Sequence, residues 1–351
     1  MQTLRMKTEF LPTLLQGLKP WGTLYTPVER APGVFSLEAI GDDVSRARPD
    51  ALRTIVPFKK LILKPRFAML EQREGGLPAE SADNDLPPRV FFGAHACDIH
   101  ALKITDLMYL TDFADPYYRK NRESLTVVGY GCMPDDRCFC HSVGTSNVDE
   151  GFDLFLTPLE GRFLATVGSA RGDDIVRANA ALFEATTPQD TRDYLERLKR
   201  REVAFTLSMD VTDLPYVLEL KKEDPVWDEL GKKCLSCGAC SMVCPTCYCF
   251  DVKDEVGLGN RSGTRSRSWD SCLFETHALV AGGENFRKER SSRIKNRYYH
   301  KQRGFVAEHG RPSCVGCGRC IATCPAKIDI VTVINKLRGE TDGSDREHAS
   351  A

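Results

Sequence analysis

An α+β chain in two parts is predicted by three observations. Up to about residue 212, apolar runs of strand length alternate with helical patterns. From Val226 onward the pattern becomes short helical stretches between cysteine turns. The cysteines of this second part also recur at fixed spacing. Cys234 to Pro245 reads C-L-S-C-G-A-C-S-M-V-C-P, and Cys314 to Pro325 reads C-V-G-C-G-R-C-I-A-T-C-P. The expected organisation is a mixed α/β domain over 1–212, a cysteine-rich domain over 213–338 with a basic, helical insert at 250–312, and a flexible tail at 339–351.

In chain order, Arg89–Ala94 (R-V-F-F-G-A) has the unbroken apolar character of a buried strand. Ala101, Ile104, Leu107 and Met108 follow at helical spacing. The turn between them, Gly93-Ala94-His95-Ala96-Cys97-Asp98, carries a cysteine. A second strand over Leu125–Gly129 leads to Cys132, Cys138 and Cys140. Asp153–Leu159 and Arg162–Val167 flank Glu160-Gly161 as a hairpin. Thr187 is the expected N-cap of a helix that has Pro188 at its first position. Val203–Met209 is a further strand candidate, and Gln72–Pro88 is an expected exposed loop. In the insert, Asn285–Arg303 holds eight Lys or Arg and one acid, Glu289. As a helix it presents a solvated face, a docking surface, or charge that compensates anionic groups.

The chain has 351 residues, 42% hydrophobic and 28% charged, with a net charge of −1 and 15 cysteines. This describes a globular protein with no whole-chain bias toward nucleic acid. Met1–Trp21 has no continuous apolar segment of the secretory kind, and no run is long enough to span a bilayer. So many cysteines without a secretory signal point to metal ligation in a reducing, cytoplasmic setting rather than to disulfides.

The repeated C-x-x-C-x-x-C-x-x-x-C-P is the ligand spacing of two-cluster [4Fe–4S] ferredoxins. Three cysteines wrap one cube, and the fourth reaches the other. Cys234, Cys237, Cys240 and Cys324 are therefore assigned to cluster 1, and Cys314, Cys317, Cys320 and Cys244 to cluster 2. A structural zinc site is disfavoured, because it takes four ligands and usually two separated C-x-x-C pairs. Cys97, Cys132, Cys138 and Cys140 are enough for a third iron–sulfur cluster; the alternative is buried, unreactive thiols. For Cys247, Cys249 and Cys272, packing, hydrogen bonding to sulfur and ligation of a further centre all stay open. His95, His100 and His141 lie nearby and read as polar or capping residues.

No G-x-G-x-x-G follows a strand, and no G-x-x-x-x-G-K-[ST], G-x-S-x-G or H-E-x-x-H occurs. Clusters without a visible substrate motif suggest an electron relay with no catalytic residue of its own. Two other classes compete with it. One is a redox enzyme with a flavin or substrate site near Cys97 and Cys132, motivated by the long N-terminal part. The other is a zinc-stabilised nucleic-acid module, which lacks an aromatic stacking platform.

Cys234–Val252, Trp269-Asp270-Ser271-Cys272, the basic stretch ending at His300-Lys301 and Cys314–Ile321 together resemble one family. So do R-V-F-F-G-A-H-A-C-D-I-H-A-L from Arg89, Asp115–Tyr118 (D-P-Y-Y), Cys138–Cys140 (C-F-C) and Gly151–Leu154 (G-F-D-L). The family is the iron–sulfur beta subunit of cytoplasmic sulfhydrogenases, which is similar to the iron–sulfur subunit of anaerobic sulfite reductase. The resemblance covers roughly residues 55–335. His95 departs from it, standing where the family motif G-x-R-x-C-D has arginine. The resemblance implies an electron-transfer subunit that links a flavin/NAD(P)-binding subunit to a terminal metal-site subunit: a hydrogenase, a sulfite reductase or a heterodisulfide-reductase-like protein.

Overall fold

The computed structural model describes residues 2–260 and 262–339; the tail expected beyond Gly339 lies outside them. Its strands are β1 (Thr3–Lys7), β2 (Thr23–Ala31), β3 (Val34–Ala39), β4 (Arg66–Gln72), β5 (Ala79–Glu80), β6 (Arg89–Ala94), β7 (Leu125–Tyr130), β8 (Leu154–Leu159), β9 (Arg162–Val167), β10 (Glu184–Ala185), β11 (Phe250–Val256) and β12 (Gly263–Trp269).

Eight strands form one mixed sheet in the order β10-β1-β9-β8-β7-β6-β2-β3. Its centre, β2-β6-β7-β8, is parallel. Every residue of β6 is buried, because a central parallel strand is covered on both faces. One face packs Leu14, Leu18, Leu24, Val90, Phe92 and Leu154. The other packs Phe58, Phe91, Ile99, Leu102 and Tyr118 with the helix Ala96–Leu110. The expected hairpin forms as β8–β9, with Leu159 opposite Arg162. Thr187 begins the helix Pro188–Val203, with the Asp190 carboxylate accepting from its backbone N–H at 2.7 Å.

The structure differs from the sequence-based expectation in three places. No strand forms over 203–209; the helix runs through Val203, and irregular chain then carries buried Met209, whose N–H donates to Ser142 Oγ. The loop 72–88 includes the short strand β5. The insert is helical at Arg290–Tyr299 and Phe305–His309, but its first part is the hairpin β11–β12. β12 also pairs with β4, so residues 66–80 and 250–269 share the sheet β11-β12-β4-β5. Arg267 pins this sheet to the larger body: it pairs with Asp115 and lies over the rings of Phe250 and Tyr109.

Arg89 opens β6 fully buried and, among the described residues, without a carboxylate partner. Its guanidinium donates to Leu61 O at 2.6 Å, Asn121 O at 3.0 Å and Ser124 Oγ at 2.6 Å. Burial lowers its pKa to about 10, which still leaves it charged at neutral pH. Arg89→Met would take the guanidinium donor from the Leu61 carbonyl and leave Asn121 O with Ser124 Oγ alone. Denaturant titration of the variant should show a loss of about 2–4 kcal/mol; an unchanged midpoint would mean the three acceptors find other donors.

Candidate metal centres

The first cysteine turn sits between the helices Val226–Lys233 and Ala239–Met242, and the second runs into Arg319–Thr323. Both are turns because C-x-x-C must curl the backbone around what it holds. Gly316 shows how tight this is. It has φ +59°, and a Cβ there would lie 2.5 Å from the Cys140 Cα.

Cys234, Cys237, Cys240 and Cys324 all line one apolar cavity, together with Leu235, Ile294 and Ile328. This joins the first motif to the last cysteine of the second, as the crossed ligand pattern requires. Ser236 N–H donates to Cys234 Sγ at 3.4 Å and Ile328 N–H donates to Cys324 Sγ at 3.3 Å. Such N–H···S bonds stabilise thiolate sulfur and tune an iron–sulfur centre. The four residues thus fit a cube by donor type, enclosure and hydrogen bonding. Cys237 is exposed and Leu235 is 61% exposed, so this cavity lies at the surface.

Cys320 is within electrostatic reach of Cys314, Cys317 and Cys244, and burial raises its pKa. Burial likewise lifts Cys314, to about 11. Cys320 also lines the first cavity, so the two groups adjoin. Among the described residues, no three His, Cys, Asp or Glu side chains converge closely enough to share a single metal ion. Cys234, Cys237, Cys240 and Cys324 stand instead around the wider space of the first cavity.

Cys97, Cys132, Cys138 and Cys140 follow the carboxyl ends of β6 and β7, and Cys138 is in electrostatic reach of Cys132 and Cys317. Cys140 is in electrostatic reach of Cys132, Cys138 and Cys317; Cys97 is in reach of Cys317 and Cys140. Burial pushes the Cys140 thiol up to about 12. The loop 137–140 lies directly on the second cysteine turn. Phe139 N–H donates to Gly316 O at 2.9 Å, Thr145 Oγ1 donates to Val315 O at 2.7 Å, and Arg53 donates to both Cys138 Sγ and Cys317 O at 3.4 Å.

His95 caps the helix Ala96–Leu110, and its own backbone N–H donates to the Asp98 carboxylate at 3.3 Å. It is more than a cap, because its ring nitrogens face two carbonyls, Tyr130 O at 2.9 Å and Ala51 O at 3.1 Å. Two acceptors require two donors, which only imidazolium supplies. Burial alone favours the neutral ring, but Cys132, Asp98 and the Tyr130 carbonyl together raise its pKa to about 9. Asp98 also forms a buried ion pair with Arg319 at 2.9 Å, tying this turn to the second motif. Of the other histidines, His100 is partnered by Asn147 O and His141 stacks near Phe205.

The basic helix turns inward rather than to solvent. Arg293, Arg297 and Lys301, four residues apart, are all buried. Arg297 donates to Cys240 O at 3.2 Å and Cys247 Sγ at 3.5 Å, and lies in electrostatic reach of Cys244 and Cys320. Lys301 donates to Thr246 O and Oγ1. Burial opposes its charge, yet Cys244, Cys247 and Cys314 raise its pKa. Lys59 completes the group, donating to Ser241 O and Cys247 O at 3.2 Å and lying 4.2 Å over the Trp269 ring. Burial lowers its pKa, opposed by Cys247, Cys244 and Cys249. The free thiols of Cys247 and Cys244 are within hydrogen-bonding reach of each other, as are those of Cys249 and Cys272. Sequence reasoning missed Lys59, Arg53 and Arg319; the four-residue spacing of 293, 297 and 301 was the available signal for the basic row.

Among the described residues, no helix is long and apolar enough to cross a membrane. Residues 233–328 match the family model of a 4Fe-4S dicluster domain, which carries two [4Fe–4S] clusters. Sulfhydrogenase 2 subunit beta of Pyrococcus furiosus is 39% identical over 338 residues, covering 96% of this chain and 99% of that protein. Pyruvate-flavodoxin oxidoreductase of Trichormus variabilis is 30% identical over 108 residues, 31% of this chain and 7% of that protein. No solved structure matches. A likeness that runs the length of both chains, on top of two facing cysteine turns, settles the family: the chain belongs to the sulfhydrogenase beta subunits, iron–sulfur proteins of electron transfer.

Proposed function

We propose that this chain is the electron-relay subunit of a cytoplasmic, hydrogenase-type complex, with three iron–sulfur centres in series. Cluster 1 would be held by Cys234, Cys237, Cys240 and Cys324, cluster 2 by Cys314, Cys317, Cys320 and Cys244, and the third by Cys97, Cys132, Cys138 and Cys140. Such clusters supply one-electron exchange. The observation that carries the series is the seat of loop 137–140 on the turn at Gly316, which leaves no room for a side chain between Cys140 and the second motif.

The protein's own part is to hold the sulfur ligands, exclude water and set the local charge. Arg297, between Cys240 and Cys320, faces both clusters of the ferredoxin-like part. Arg53, paired with Asp135, donates to Cys138 Sγ and to the Cys317 carbonyl on the other side. The exposed edge of cluster 1, at Leu235 and Cys237, suits exchange with a partner protein. The relative's name, a beta subunit of a sulfhydrogenase, supports partners of two kinds: one is a flavin/NAD(P)-binding subunit, the other a terminal metal-site subunit.

Protein purified without oxygen should carry about twelve irons and twelve sulfides per chain. Cys138→Ala should retain about eight of each. A count of about eight in the unaltered chain would remove the third centre, and zinc without sulfide would overturn the relay altogether.

Gly316→Ala should dislodge the loop at Cys140 and lose about four irons, read by the same analysis. Full retention would show that the loop does not set the third centre.

Arg297→Gln removes a buried positive charge that favours the more negative, reduced state of each cluster. Redox titration followed by electron paramagnetic resonance should show potentials lower by on the order of 100 mV. Potentials that do not move would deny Arg297 this role.

A further inference from the structure

Beyond the carboxyl end of β7, a cavity of about 280 Å³ opens beside Cys132 and runs over β8 and β9. Parallel α/β sheets bind their ligands in this crevice. The relay reading gives the space nothing to do. Its lining combines the guanidinium groups of Arg197 and Arg201 with Tyr194 and the rings of Phe152 and Phe155.

The two arginines come from the helix Pro188–Val203, four residues apart, and so share one face. Arg197 donates one nitrogen, Nη2, to Gly131 O at 2.8 Å. Arg201 donates to Asn147 Oδ1 at 2.9 Å and to the Ser146 carbonyl, which fixes the loop beside the cavity. Among the described residues, neither arginine pairs with a carboxylate, although both carry further donors in a fixed fork. Two neighbouring guanidiniums repel one another, and an anion between them removes that repulsion. Asp149, the acid of the lining, is exposed at the rim. The volume lies near the lower end of the 300–1,000 Å³ usual for pockets of drug-sized ligands, which favours a small ligand.

We propose that this cavity binds a small oxyanion, held by Arg197 and Arg201 against the aromatic floor. Cys132 lines the same cavity and lies in electrostatic reach of both arginines, so its sulfur competes with the anion for their charge. The same oxyanion chemistry is offered by an inorganic ion and by the carboxylate of a short organic acid; the aromatic rings add contact area only for the second.

The test is isothermal titration calorimetry on the full chain, purified without oxygen, with inorganic phosphate and with propionate. At least one should bind with a dissociation constant of about a millimolar or tighter. Arg197→Gln should weaken it by about tenfold or more, the loss of a charge-assisted hydrogen bond. Tighter binding of propionate would assign a carboxylate, and tighter binding of phosphate an inorganic ion. Val148→Trp, which fills the cavity from its loop and leaves both arginines in place, should abolish binding and serves if Arg197→Gln does not fold. Absence of binding by the unaltered chain, or binding unchanged in a folded variant, would overturn the proposal. Iron content measured on the same samples separates this outcome from failure of the relay.

Discussion

Sulfur that is to carry negative charge inside a protein needs positive charge beside it, and this constraint accounts for much of the chain. Lys59, Arg297 and Lys301 are buried with no carboxylate partner among the described residues, and each is near the sulfurs of Cys244 and Cys247. A buried charge without a counter-charge costs several kcal/mol. Arg297 and Lys301, both with pKa values raised by the sulfurs, make sense in one small volume only if the sulfurs carry the balancing charge; at Lys59 burial outweighs the same sulfurs. The basic run within 285–303 follows from this: its helix brings cations to the interior at four-residue spacing and keeps other members, such as Arg303, on the surface with Glu219.

The N-terminal part is built onto the same centre rather than beside it. The buried Asp98–Arg319 pair joins the end of β6 to the second cysteine turn, and Arg53 reaches both Cys138 and the Cys317 carbonyl. Removing one partner of a buried pair leaves the other uncompensated, so these links hold the two parts in register. The sheet β11-β12-β4-β5 adds backbone pairing across the same divide. This also explains the length of the insert between the motifs: its hairpin completes that sheet, and its helix supplies the cations.

What is legible in the sequence is what is encoded locally. Cysteine spacing is a short-range property of the turn, so both motifs are visible at once. The runs 89–94 and 125–129 and the hairpin about Glu160-Gly161 declare themselves by periodicity, and Thr187-Pro188 by capping chemistry. The hairpin β11–β12 is hidden because its residues, such as Lys253, Asp254, Arg265 and Arg267, lack apolar alternation and gain stability from pairing with distant β4. The inward direction of Arg293, Arg297 and Lys301 is hidden for a related reason: cations are nearly always outside, and only the sulfur they face reverses that preference. His95 reads as a mere cap because its two carbonyl acceptors come from residues 51 and 130, far away in sequence.

A wire alone does not need an eight-stranded sheet, and the geometry says what the sheet contributes. Parallel strands end in loops on one side, and here the segments after β6 and β7 bring Cys97, Cys138 and Cys140 into reach of Cys317, with Cys132 beside Cys138 and Cys140. A loop that must lie against a cysteine turn with no space for a Cβ has to be held from behind. The buried β6 and the helix Ala96–Leu110 provide that support through Phe91, Ile99 and Leu102. The same strand ends leave the crevice lined by Arg197 and Arg201. The ends of these strands thus order sulfurs toward the second cysteine turn and leave a cationic opening beside Cys132, and neither arrangement is available to two cysteine turns on their own.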